Sequence, residues 1–290
     1  MGEKSENGSG EIPENGTDTA KKIKKSEEQA KILRAQAEDP GKGRIVWTKN
    51  LIFYLIKFAL RLTLFLIILV IYLQDRSSLG TFMVTPIWNG ITVIHVAWCI
   101  FMGLMLMHLL PSKLLSMARR KSRMNTYMPV VNYDRYMLLE HVQKMNLGAW
   151  KVMLVWLIFN SVFGILYLLK ILVESDLMML TTFYFLCDYI CILFFCPFQS
   201  FLMKNKCCIN CRIYDWGHFM MFTPMLFICK FYSWSLFFTS IIVLIHWEIE
   251  YAKNPERFWE GSNQILKCIK CKERTCQIKR RITGVILKKH

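Results

Sequence analysis

Residues 51–73 read LIFYLIKFALRLTLFLIILVIYL, with Lys57 and Arg61 as the only charges. A helix needs roughly 20 mostly apolar residues to cross about 30 Å of hydrocarbon, and this run has that length. Further apolar runs cover 86–110, 149–173, 177–203 and 219–251. Soluble domains rarely hold several runs of this length. The expected fold class is therefore all-α, a polytopic integral membrane helix bundle of about six spans. The last two spans are expected to form a short helical hairpin. A small basic, cysteine-containing cap is expected on the cytoplasmic face.

Charge sets the orientation. Lys and Arg number 37 against 21 Asp and Glu, a formal net charge of +16. On a soluble protein such an excess suggests nucleic acid. On a membrane protein, Lys and Arg gather in cytoplasmic loops. The loop at 112–148 is the most basic internal one and is expected inside. The link bearing Glu174 and Asp176 has neither Lys nor Arg and is expected outside. Both termini are then cytoplasmic. The expected partners are the lipid bilayer, anionic headgroups at the basic loops and a protein partner for the cap; nucleic acid is not among them. Three regions follow. Residues 1–43 are polar and expected to be disordered to weakly helical, with charges at Lys4, Glu6, Glu11 and Glu14 where a signal peptide needs an apolar core. Residues 44–251 are the membrane domain, and 252–290 are a basic tail.

Two boundaries carry specific expectations. NYDRYMLLEHVQKM, 132–145, patterns as an amphipathic helix on the membrane surface, capped by Asn132, ahead of a separate third span. The run at 219–251 as one helix would be about 50 Å long and would put the basic tail outside. A break near CKFYSW, 229–234, resolves both difficulties and puts Lys230 at the outer surface. Pro197 is expected to bend the fourth span near its end.

Counting inward from the span ends puts Arg61, His95, Asn160 and Asp188 at similar depth. Ionisable groups there are costly and face one another or a wet cavity. Arg61 and Asp188 have opposite charge and are candidates to pair, with His95 beside them as a group able to titrate near neutral pH. Lys57 is shallower and able to snorkel, and His108 is expected at the interface.

The chain has 11 cysteines. Five lie in apolar runs and behave there as small hydrophobes. The other six form two clusters: CCINC, with Cys207, Cys208 and Cys211, and CIKCKERTC, with Cys268, Cys271 and Cys276. Each holds a C-x2-C pair, and two such pairs supply the four thiolates of a structural zinc site. Cys208, Cys211, Cys268 and Cys271 are the expected Zn²⁺ ligands, with Cys207 and Cys276 as alternates. The hairpin puts both clusters on one face of the membrane. An iron–sulfur cluster or a reactive dithiol is the alternative, although the C-x2-C-x2-C-x3-C-P run and the thioredoxin context are absent.

Asp215 and His218 in RIYDWGHF, close to the cysteines, read as a helix start with Asp215 as cap; an acid–base pair or extra metal ligands is the alternative. Glu248 and Glu250 read as a helix leaving the bilayer, with Lys253 and Arg257 as partners. No catalytic residues are assigned. The expected function is an accessory or scaffold component with a metal–thiolate cap. The alternatives are a transporter or channel using Arg61, His95 and Asp188, and a membrane redox protein using the cysteines.

Overall fold

The computed structural model describes residues 47–76, 78–88, 90–110, 122, 126–205, 207, 210–267 and 276–279. The described chain is predominantly helical. Four of its helices are long and apolar enough to cross a membrane: α1 (Lys49–Gln74), α4 (Arg135–Leu168), α5 (Glu174–Leu193) and α7 (Phe231–Lys253). A shorter apolar helix, α3 (Val93–Leu109), has 17 residues.

The helix ends follow from local chemistry. Thr48 caps α1 by accepting a hydrogen bond from the Leu51 amide at 3.2 Å. Asp134 caps α4 through the Tyr136 amide at 2.7 Å. Asp176, in the first turn of α5, reaches back to the Val173 amide at 2.8 Å. An N-cap acceptor of this kind satisfies donors that a helix start leaves open, and a carboxylate there also suits the helix dipole.

Several boundaries differ from expectation. The second span does not start at Pro86. A short helix, α2 (Ser78–Val84), leads into an antiparallel pair, β1 (Pro86–Trp88) with β2 (Ile91–Thr92), and α3 begins only at Val93. Gly90 has φ of +83°, which a residue without Cβ adopts freely. The expected surface helix and third span are one continuous helix of 34 residues, α4. At ~1.5 Å per residue it is about 50 Å long, so part of it projects beyond a hydrocarbon layer of about 30 Å. Its cap is Asp134, because Asn132 has φ of +59° and stands outside the helix. The fourth span ends at Leu193; the chain unwinds, and beyond Pro197 it forms a wide turn, Phe198–Met203.

The apolar run after residue 213 is broken into two arms, of which only α7 is among the helices long and apolar enough to cross a membrane. The first arm is a 3₁₀ turn (Tyr214–Trp216), α6 (Gly217–Phe222) and a second 3₁₀ turn (Thr223–Phe227). Ile228 and Lys230 are extended, with ψ of 103° and 148°, and α7 starts at Phe231. Trp234 Nε1 donates to the Leu226 carbonyl at 3.1 Å near the break, and Trp216 Nε1 to Glu248 at 2.8 Å at the opposite end, so the arms are antiparallel. Gly164 of α4 lets the first arm approach closely: a Cβ there would lie 2.2 Å from the Phe227 ring.

α1 packs antiparallel on α5, from Tyr54 stacked on Tyr189 to Tyr72 bonded to Asp176 at 2.7 Å. α3 runs parallel with α7, Trp98 Nε1 donating to Ser235 at 2.7 Å. One end of the bundle carries the Arg76–Asp176 and Lys230–Glu174 ion pairs. The other end carries the segments after α5 and α7.

Candidate functional site

Arg61 lies mid-helix in α1 and faces α5. Its Nη1 donates to Asp188 Oδ2 at 2.9 Å and to the Phe185 carbonyl at 2.6 Å. Its guanidinium also covers the Phe185 ring at 3.8 Å and the Tyr189 ring at 4.0 Å. The two charged side chains keep 20% and 31% of their surface exposed, so the pair is not sealed into a core. It borders a cavity of about 330 Å³ between α1, α3, α5 and the first arm of the hairpin.

Other ionisable groups border the same cavity. Lys57, one turn before Arg61 in α1, lies over the Phe53 ring at 4.3 Å, and no ion pair among the described residues includes it. His108, near the end of α3, has Nδ1 3.8 Å from Asp215 Oδ2. The His108 and His218 rings meet edge to face with centroids 4.8 Å apart. Asp215 is buried and is not a helix cap; its carboxylate faces His108 because the first arm packs that turn inward. Gly217 adjoins the ion pair, and a Cβ there would stand 2.9 Å from Asp188 Oδ1.

Two expected members of the polar layer lie elsewhere. His95 is in the first turn of α3, not mid-span, since β1 and β2 take up the residues ahead of it. Its Nδ1 is 2.6 Å from Thr92 Oγ1 and its Nε2 2.7 Å from the Tyr232 hydroxyl. That puts it at the end of the bundle carrying Lys230, away from mid-helix Arg61. Asn160 is 1% exposed and fastens α4 to α5, accepting from the Tyr184 hydroxyl at 3.2 Å. Arg61 and Asp188 thus meet, whereas His95 and Asn160 serve other contacts. His108, Asp215 and His218 were not expected in the site. The i,i+3 spacing of Asp215 and His218 was the available signal, because it puts both on one side of a helical turn.

A second cavity, of about 410 Å³, adjoins the first. Asp188, Ile192, Tyr214, Gly217 and Met221 border both. Its other walls are mostly apolar and aromatic, among them Trp156, Phe159, Phe183, Phe195 and Phe198.

The end of the bundle beyond α5 is closely tied together. Arg212 forms a two-pronged pair with Glu248, donates from Nε to Asn146 at 3.0 Å and covers the Tyr251 ring at 3.8 Å. Glu248 therefore pairs with Arg212, and Glu250 with Arg257 at 3.1 Å. Val130 N donates to the Ser262 carbonyl at 2.9 Å, and Gln264 N to that of Met128 at 2.9 Å. Asn210 Nδ2 donates to the Leu266 carbonyl at 3.3 Å. Lys279 Nζ donates to the Cys191 carbonyl at 3.0 Å and to Gln199. Cys207 and Cys211 are buried in the apolar cluster with Trp216 and Trp247, and Cys276 is half-buried. Of the expected zinc ligands, Cys208, Cys268 and Cys271 lie outside the described residues. Among the described residues no group of three or more His, Cys, Asp or Glu side chains is arranged to hold a metal ion.

Comparisons with protein-family models, curated proteins and solved structures find no match to the chain.

Proposed function

We propose that this integral membrane protein binds a small anionic ligand in the cavity beside Arg61 and Asp188, as a member of the transporter class. The observation that carries this is convergence: Lys57, Arg61, His108, Asp188, Asp215 and His218, from four separate elements, border one cavity. A single structural ion pair accounts for Arg61 and Asp188. It does not account for Lys57, a second cation one turn nearer the start of α1, which can snorkel and yet borders this same cavity. Hydroxyl-radical footprinting in lipid nanodiscs tests it. Tyr54 and Tyr214, which line the cavity, should be modified at rates near those of water-exposed tyrosines. Labelling as low as that of buried Trp247 would make the cavity dry and end the proposal.

We also infer a metal–thiolate cap at the end of the bundle that carries the segments after α5 and α7, with Cys208, Cys211, Cys268 and Cys271 as Zn²⁺ ligands and Cys207 and Cys276 as alternates. Supporting it, Asn210 bonds Leu266, two residues before Cys268, and Lys279, three residues after Cys276, bonds Gln199. Described residues on both sides of the second cysteine cluster therefore contact the segment around the first. Four thiolates suit a closed tetrahedral site. Metal analysis of protein purified without chelator should give close to one zinc per chain, reduced by Cys268→Ser with Cys271→Ser. A metal-free chain would end it. The positive-inside rule, applied to the 112–148 loop and the tail, makes this end cytoplasmic and both termini internal.

A further inference from the structure

We infer that the ligand is an amphiphile, with a compact anionic head beside Lys57 and Arg61 and a single apolar chain in the adjoining aromatic chamber; this rests on the anion-binding proposal and goes beyond it. The two cavities differ sharply in chemistry and share a wall. The one of about 330 Å³ is bordered by Lys57, Arg61, His108 and Asp215; the one of about 410 Å³ is bordered mostly by apolar and aromatic side chains, with Gln199 at its wall. Asp188 and Gly217 border both. Gly217 packs directly on Asp188 at this boundary, where a Cβ would stand 2.9 Å from Oδ1, and Asp188 is bonded to Arg61 at 2.9 Å, so the partition between the chambers is one residue thick. A small solute fills the first chamber and leaves the second unused. A molecule with a charged head and an apolar tail uses both.

Charge selects the sign of the head. Arg61 is paired with Asp188, and Asp215 lies 3.8 Å from His108, an ion pair only when that imidazole carries a proton, whereas Lys57 has no carboxylate within ion-pair distance among the described residues. A carboxylate or phosphate beside Lys57 supplies the missing counter-charge, and Arg61 can add a second charge-assisted hydrogen bond. The chain has a different role. Moving it from lipid into protein gains no hydrophobic free energy, because lipid tails are as apolar as the chamber walls. Affinity therefore resides in the head. The chain sets selectivity and keeps the molecule concentrated in the bilayer, from which it enters.

The test uses full-length protein in zwitterionic nanodiscs and four probes: dodecyl phosphate, dodecanoate, inorganic phosphate and dodecanol. Dodecyl phosphate or dodecanoate should bind saturably. Lys57→Gln should weaken that binding by about tenfold, the size of one lost charge-assisted contact. A chain-brominated probe should quench Trp156, which lines the second chamber, with the quenching missing in Trp156→Phe. Cys187→Phe, which narrows that chamber, should block the long-chain probes while the melting temperature of the ligand-free protein shows whether it still folds. Inorganic phosphate binding as tightly as dodecyl phosphate, without Trp156 quenching by the brominated probe, would overturn the amphiphile and leave the anion cavity standing. Dodecanol binding equally well would overturn the anionic head. Failure of both long-chain anions and of inorganic phosphate to bind would end both proposals.

Discussion

Asp188→Asn distinguishes a cavity-lining ion pair from a sealed one. Removing one partner from a fully buried pair costs about 3–5 kcal/mol, because the other charge is left without compensation. A fully exposed pair is worth roughly 0.2–1 kcal/mol. Here the partners retain 20% and 31% exposure. After the substitution Arg61 keeps its 2.6 Å bond to the Phe185 carbonyl and its contacts with the Phe185 and Tyr189 rings. Asparagine can still accept one neutral hydrogen bond. The expected cost is therefore about 1–2 kcal/mol, between the two limits. At about 2–4 °C per kcal/mol for a chain of this size, thermal denaturation in nanodiscs should fall by about 2–8 °C. A double-mutant cycle with Arg61→Gln should give a coupling of about 1 kcal/mol. If Asp188→Asn yields no folded protein, or melts more than about 15 °C lower and is restored by Arg61→Gln, the pair is sealed and structural. The solvated cavity would then be refuted.

Three further outcomes follow from the packing. Gly164→Ala should lower stability by about 1–3 kcal/mol, since its Cβ would overlap the Phe227 ring, and Phe227→Leu in the same chain should recover part of the loss in a denaturation measurement. Arg212→Met should cost about 1–3 kcal/mol, because Glu248, itself 31% exposed and still bonded by Trp216, and Asn146 lose a buried partner, and limited proteolysis should then cut within the tail first. Reporter fusions at Gly41, Ser122, Asn205 and Lys289 should read cytoplasmic and those at Ser77 and Ser175 external; an external Lys289 would reverse the proposed orientation and remove the basis for the zinc site.

Much of the architecture was legible where one physical rule dominates. Apolar length located α1 within two residues of its observed ends, Lys49 and Gln74. Charge placement required a break between 219 and 251, and the chain turns at 228–230, at the start of the expected stretch. Opposite charges at equal counted depth pointed to Arg61 and Asp188, which meet. The misreading of His95 has a definite cause. Hydropathy alone extended the second span over PIWNGIT, although Asn89-Gly90 between apolar residues is a strong hairpin signal. His108, Asp215 and His218 were each assigned by position in their own segment. Their convergence depends on which faces of α3 and the first arm oppose each other, and one helix's periodicity carries no information about its neighbour. The single helix α4 was split because its polar first turns and apolar remainder have different compositions, although nothing in the backbone interrupts them.

The break at 228–230 also bears on how the protein is made. The first arm, 214–227, is about 25 Å long, shorter than the roughly 30 Å of hydrocarbon a lone helix must cross. On the proposed topology it is therefore too short to settle as an independent span as it leaves the ribosome, although α3 and α5, which border the same cavity as Asp215 and His218, have by then been made. In that topology both arms enter the bilayer as one unit, after α7 has been synthesised, and Lys230 at the tip pairs with Glu174 on the outer face. A nascent chain stopped just after Lys230 should leave the first arm extractable by alkaline carbonate, and one extended past Lys253 should not.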